Sequence, residues 1–295
     1  MGFRVLASPN MTGSLDGYQL HQFSEVAAAG DKLTVAQIAA HDRQRELGAE
    51  GERQLIRLFK MAYPAGGVIA DAGGGTGLTT PLLAAAGLRS VLLDISASML
   101  AAASWPVPRI RTDLCRLPLC PRSVDGIYAG YVIQNIPDWR QAMAEIARVI
   151  KPDGAVLAAL GNPPADDVSS AVTRYYLEAL SDAHGKRVGV VAESTGLRTI
   201  DDAVAAMRVL GLELGGVHEI HGQQTRSIRD IIELRSRNPF LTQAAAPAVK
   251  AALERTLAWA ARQYRDIDSP RTIPVLRVLH EFRHVRMAPE PAASR

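Results

Sequence analysis

Cysteine is almost absent: 295 residues contain two, Cys115 and Cys120. That is too few for a disulfide framework, and their spacing matches no common metal pattern. Both are expected as reduced thiols near the core. An excess of one charge is also missing. The 33 Lys+Arg stand against 30 Asp+Glu, a formal +3, too little for the electrostatic footprint of nucleic-acid binding. No apolar run reaches the ~20 residues of a membrane helix. The opening residues, Met1 to Leu6, lack the apolar centre of a signal peptide, so a cytoplasmic location is expected. Internal repeats and low-complexity segments are absent. What is present is an ordinary globular mixture, 47% hydrophobic and 21% charged. Its length suits one large α/β domain or a domain with a smaller cap.

The chain is organised around Val68-Ile69-Ala70-Asp71-Ala72-Gly73-Gly74-Gly75-Thr76-Gly77-Leu78. A short apolar run ending in glycines reads as a central parallel strand. Gly73, Gly75 and Gly77 allow a sharp turn and close approach to a ligand. A helix from Leu78 through Ala86 is expected to aim free N–H groups at that ligand. A dinucleotide fingerprint needs a third glycine three residues after the second; Leu78 or Thr80 stands there instead. Asp71 would repel a pyrophosphate but suits a ligand carrying an ammonium group. The stretch resembles motif I, D/E-x-G-x-G-x-G, of the class I S-adenosylmethionine (SAM) methyltransferases. That resemblance implies SAM as cofactor and S-adenosylhomocysteine (SAH) as product. It places Asp71, Ala72, Gly73, Gly75 and Gly77 at the amino-acid end of SAM.

Downstream, Ser90-Val91-Leu92-Leu93 reads as a second strand ending in Asp94, close to the ~20 residues at which a ribose-binding acid is expected. Ser96 is a good N-cap for the next helix. Asp94 through Leu100 is similar to the family stretch D-x-S-x-x-M-L, which adds Ile95 and Met99 to the implied site. A short third strand, Arg109 to Arg111, precedes Asp113 and Leu114, where the resemblance implies contacts to adenine. The fourth strand, Gly126 to Gly130, contributes Ala129 and Gly130. The tail from Tyr131 to Asp138 resembles the quinone C-methyltransferase-like branch. Gln134 and Asn135 stand where many small-molecule members have histidine. Trp139, Ala142, Met143, Ile146, Ala147 and Ile150 mark a helix, capped by Asp138 and ended by Lys151-Pro152-Asp153-Gly154. A fifth strand follows at Ala155 to Leu160.

These readings give an α/β fold: a Rossmann-like seven-stranded methyltransferase sheet with helices on both faces and a mostly helical cap. Residues 1–64 form an N-terminal helical segment, a lid or a packing element, with short helices expected at 18–26 and 34–40. Its last helix has Leu55, Leu58, Phe59 and Ala62 on one face. The core spans 65–162 and resumes at 199–226 with a helix over 199–212 and strand six at 213–221. Helical insertions occupy 163–198 and 227–270. The final strand lies in 271–286, and a disordered tail follows.

Methyl transfer from SAM needs a base only where the acceptor must lose a proton. His218, His221 and Tyr131 are the candidates, whereas His280 and His284 read as structural. His218 and His221 are three apart on a strand and face opposite sides, so no metal is expected. The resemblance implies a SAM-dependent methyltransferase acting on an oxygen, nitrogen or carbon atom of a small biosynthetic acceptor, as a monomer or homodimer. A SAM-binding relative that does not methylate, or one with a peptide acceptor, stays open.

Overall fold

The computed structural model describes residues 33–161, 167–185, 197, 199–238 and 244–284. The helix expected at 18–26 and the tail at 288–295 lie outside them.

Seven strands form one sheet: β1 Val68–Ala72, β2 Arg89–Asp94, β3 Arg109–Arg111, β4 Val124–Gly130, β5 Ile150–Ala159, β6 Leu212–Arg226 and β7 Arg271–His284, in the order β3-β2-β1-β4-β5-β7-β6. The first five pair in parallel, while β7 runs antiparallel between β5 and β6. The helices are α1 Val35–Arg45, α2 Gly48–Ala62, α3 Thr80–Ala85, α4 Ala97–Ala102, α5 Trp139–Val149, α6 Val168–His184, α7 Ile200–Val209, α8 Ile228–Ser236 and α9 Ala246–Gln263.

Strand alternation divides the core. Ala70, Ala72, Ile127, Val156, Ala158 and Phe282 meet the buried face of α5 and α7. Ile69, Tyr128, Leu157, Leu279 and Ile220 meet α2 through Leu55, Leu58 and Phe59. Each large apolar side chain so buried contributes about 1.5–3 kcal/mol. Gly126 leaves room for the Tyr63 ring, whose hydroxyl donates to the Ile127 carbonyl at 2.7 Å.

Several local expectations hold. Ser96 and Asp138 cap α4 and α5 through the Met99 and Gln141 N–H groups. Among the described residues, α6 falls within 163–198, and α8 and α9 within 227–270. Three details differ. Lys151 to Gly154 bulge between two paired positions, Val124–Ile150 and Gly126–Ala155, so β5 begins before them. Lys151 Nζ donates to Asp125 there at 2.6 Å. The helix after the glycine turn starts at Thr80, because Gly77 (φ 76°) closes a further turn first. Finally, β6 runs on to Arg226 instead of stopping at His221, because β7 pairs with it along its full length.

The β6–β7 hairpin therefore overshoots the sheet. β5 pairs with β7 only at Ala155–Ala158, opposite Arg283–His280, leaving Arg271 to Leu279 projecting past the carboxyl ends of the parallel strands. Helices α6, α8 and α9 pack on this ledge around Val172, Ile231, Ile232, Ala260 and Ile273. The corner between α1 and α2 docks on the same hairpin, backbone to backbone: the Gln223 N–H donates to the Leu47 carbonyl at 3.0 Å.

Candidate cofactor and acceptor site

The glycine turn is held by backbone hydrogen bonds to β2 and within itself. Gly73 and Gly74 N–H groups donate to the Leu93 carbonyl, Gly77 N–H to Gly74, and Thr80 N–H to Gly77. The free amides expected at the helix start are thus largely engaged in turns. What the turn offers is room. A Cβ on Gly73 would strike Val132, but one on Gly75 (φ 59°) would meet only Met99 Sδ, at 4.0 Å. At Gly75 the constraint is backbone conformation plus an open face, as a closely approaching ligand requires.

Asp94 ties this turn to β2. Its Oδ2 accepts from the Gly75 N–H and its Oδ1 from the Ser96 N–H, both at 2.8 Å. Burial raises its pKa, opposed by those two bonds and by nearby His41. The Ile95 N–H also favours the charged form; a carboxylate has about four lone-pair sites, which leaves room for an incoming hydroxyl. Asp113 Oδ1 accepts from the Cys115 N–H at 2.8 Å, and Leu114 is buried beside it. Burial and Asp113 push the Cys115 thiol up to about 12, so it is inert at neutral pH.

Asp71 is the anomaly. It is 1% exposed, and neither carboxylate oxygen has a hydrogen-bond partner. Burial, then the charge of Asp94, raises it to about 7, against the pull of Arg277. An orphaned carboxylate at the base of a glycine turn fits a ligand that brings an ammonium group. The linkage has a definite sign. Between about pH 4 and 7 the folded chain keeps a proton that the unfolded chain has released, so the group's contribution to stability falls as pH rises through that window. The size is up to roughly 4 kcal/mol. Asp71→Asn should flatten this fall, measured as unfolding free energy at pH 5 and pH 8. An unchanged slope would return Asp71 to an ordinary titration.

Sequence reading missed how α1 engages the site. The Thr76 hydroxyl donates to Asp42 Oδ2 at 2.9 Å, and His41 Nδ1 lies 3.3 Å from Asp42 Oδ1. Burial lowers the His41 pKa. At the end of α1, Arg45 reaches the Gly130 carbonyl at a long 3.5 Å. The only sequence signal for α1 was its Thr34/Gln37 capping box; nothing local says that Asp42 meets Thr76.

The three candidate bases are not brought together. Tyr131 follows β4 with φ 61°, a conformation rare for a bulky residue. Arg45 and Arg277 lie over its ring, at 5.3 and 5.4 Å from the centroid. Arg277 is 7% exposed and donates to the Tyr128 hydroxyl at 3.1 Å and the Arg45 carbonyl at 2.9 Å. His218 instead meets Glu281 at 2.7 Å, and Glu281 also accepts from Arg283. His221 pairs with Glu219 at 3.1 Å at the exposed sheet edge. Pairing sets His221 opposite Leu276 and Ile220 opposite Arg277, so His221 points to the face away from Arg277 and Tyr131. Among the described residues no cluster of three or more metal-ligating side chains occurs, and no helix is long and apolar enough to cross a membrane.

Residues 70–158 match the methyltransferase domain family. A demethylmenaquinone methyltransferase of Corynebacterium urealyticum is 34% identical over 136 residues, 46% of this chain and 59% of the relative. One of Mycolicibacterium gilvum is 34% identical over 126 residues, 42% and 55%. The chain thus spans less than two thirds of the length of these relatives. Among solved structures, a protein described as a methyltransferase of an antibiotic biosynthesis pathway in Anabaena variabilis has a TM-score of 0.56. It is 18% identical and covers 80% of this chain and 100% of its own. A similar protein of Bacillus halodurans has a TM-score of 0.51, 15% identity and coverage of 78% and 98%. At such identities these structures show the fold alone. Residues 70–158 thus match a methyltransferase domain family, and the sheet around them shares its fold with these solved structures.

Proposed function

We propose that the chain is a SAM-dependent methyltransferase acting on a small-molecule acceptor, with SAM lying across the carboxyl ends of β1, β2 and β4. The observation that carries the reading is the open face at Gly75, held in place by the Asp94 carboxylate, whose remaining acceptor capacity suits a ribose hydroxyl. The orphaned Asp71 supports it, since the amino-acid end of SAM supplies an ammonium group. When bound, SAM provides a methyl group already activated on a sulfonium, and a displacement at that carbon needs alignment and exclusion of water above all. In this chain Asp94 and the glycine turn would fix the nucleoside. Met99, Asp113 and Leu114 would flank the base, and α1 would close over the turn through Asp42 and Thr76.

Tyr131 is the group we assign to the reacting end. Its strained backbone is the kind of outlier that marks a functional position. The guanidiniums of Arg45 and Arg277 would stabilise negative charge developing on an acceptor oxygen beside it. Both histidines are engaged by glutamates elsewhere, so Tyr131 is the better candidate for holding or taking a proton. The relatives' printed names make a quinone-like ring one acceptor to try first. Thermal unfolding with SAM, SAH and, as a control, NAD tests the cofactor. At ~100 times Kd a ligand stabilises by about 2.7 kcal/mol, a shift of several degrees for a chain of this size. A shift with SAM and SAH but not NAD is expected; none with SAM or SAH would remove the main support for the reading.

A further inference from the structure

The overshooting hairpin walls a cavity of about 600 Å³, within the usual range for small-molecule sites. An adjoining cavity of about 430 Å³ shares Asp167, Ile231, Ile273 and Pro274 with it. Ile231 and Leu234 from α8, with Ile273 and Val275 from β7, give it an apolar floor. Gln44 from α1, Ser169 and Ser170 from α6, and two arginines, Arg226 and Arg235, give it a polar wall.

The two arginines are not equally neutralised. Arg226 is 5% exposed and lies 3.3 Å from the Glu46 carboxylate. Arg235 has only neutral partners: its Nε donates to Thr173 Oγ1 at 3.0 Å and its Nη1 to Gln44 Oε1 at 2.8 Å. Among the described residues no carboxylate lies within ion-pair distance of it. Asp167 is the acid that favours its charge, and that carboxylate already caps α6 through the Ser170 N–H at 2.7 Å. Burial and the like charge of Arg226 lower the Arg235 pKa. A cation held among neutral groups beside a second cation is costly unless an anion joins it. The cavity borders the elements that carry the other two cations: Gln44 precedes Arg45 in α1, and Val275 shares a strand face with Arg277, the two guanidiniums that flank Tyr131.

We propose that this cavity is the acceptor site and that the acceptor carries an oxyanion, a carboxylate or a phosphate monoester, gripped by the fork of Arg235 with Arg226 behind it. The apolar body of the acceptor lies on Ile231, Leu234 and Val275, and its methylated atom faces Tyr131. This rests on the methyltransferase reading for what the site is for, but not for whether it binds anions. An arginine fork matches two oxygens of one anion at once, which a lysine cannot do.

The test is calorimetric titration of the full chain, with and without saturating SAH, using benzoate, phenyl phosphate and benzyl alcohol. At least one anion should bind saturably and tighter than the neutral alcohol, and the stronger of the two identifies the oxyanion. Arg235→Met should lower that affinity tenfold or more while leaving SAH affinity within twofold; Arg235→Lys should lose severalfold. Equal binding of the alcohol, no saturable anion binding, or wild-type anion affinity in Arg235→Met would overturn the proposal. If Arg235→Met loses the SAH binding that reports its folding, Arg235→Lys decides alone: a severalfold drop supports the proposal and an unchanged affinity overturns it. Failure of SAH to bind in the same titrations counts against the methyltransferase reading instead, because the anion arm is also run without it.

Discussion

Asp94→Ala is expected to weaken SAM and SAH binding by about 100-fold while the protein stays folded. A hydrogen bond to a charged group contributes about 1.5–3 kcal/mol, and a tenfold change in affinity corresponds to about 1.4 kcal/mol. Loss of the ribose contacts alone therefore accounts for ten- to a hundredfold. The structure adds a second cause, because the same carboxylate holds the Gly75 N–H at 2.8 Å. Without it the turn loses its tie to β2, and the open face above Gly75 is no longer pre-formed. Asp94→Asn separates the two. One amide oxygen can still accept from Gly75, so the loop stays fixed and the loss should be about tenfold. Titration calorimetry with SAH reads both variants, and wild-type affinity in Asp94→Ala would sink the assignment.

The second large effect is expected far from the turn, at Gly222→Ala. A Cβ there would lie 2.1 Å from the Leu47 carbonyl oxygen, with Leu47 C and Cα also near, at 3.0 and 3.3 Å. No rotamer change relieves a clash with backbone. Gly48 is tight from the other side, where a Cβ would meet the Gln223 carbonyl oxygen at 2.2 Å. The α1–α2 corner must therefore lift off the hairpin, breaking the Gln223–Leu47 hydrogen bond. Overpacking of this kind costs about 1–3 kcal/mol, and Tm should fall by about 2–5 °C for a chain of this size. Because α1 carries the Asp42–Thr76 contact, SAH affinity should fall too, although residue 222 lies on the edge strand β6, four places along the sheet from β1 and the glycine turn. A Tm within about 1 °C of wild type would show that the corner has slack.

Much of this arrangement was readable in the chain because its causes are local. The apolar run before Gly73, the caps at Ser96 and Asp138 and the period of α5 all act within a turn or two of themselves, and Asp94 ends the very next strand. What escaped reading depends on partners far away in sequence. Nothing near Asp42 indicates Thr76, and nothing near Arg235 indicates Gln44, which precedes it by almost the whole core. The length of β6 beyond His221 follows from β7. The lone histidines drew attention because imidazole suits proton transfer, yet Glu281 and Glu219 occupy them. Tyr131 was visible only as the residue after a strand; its left-handed backbone and its two guanidinium neighbours are tertiary facts.

The antiparallel seventh strand also sets an order of assembly. Ala155 in β5 pairs with Arg283 in β7, so the seam closing the sheet joins residues roughly 130 positions apart, a separation that slows folding through loop closure. On a ribosome, β1 to β5 and the glycine turn emerge long before β7 does. Until β7 docks, Tyr131 lacks Arg277, the hairpin ledge does not exist, and the α1–α2 corner has no strand on which to seat. On the proposed reading, a nascent chain would hold the nucleoside half of its site early and acquire the reacting half last. The fold would thereby tie reactive competence to completion of the sheet.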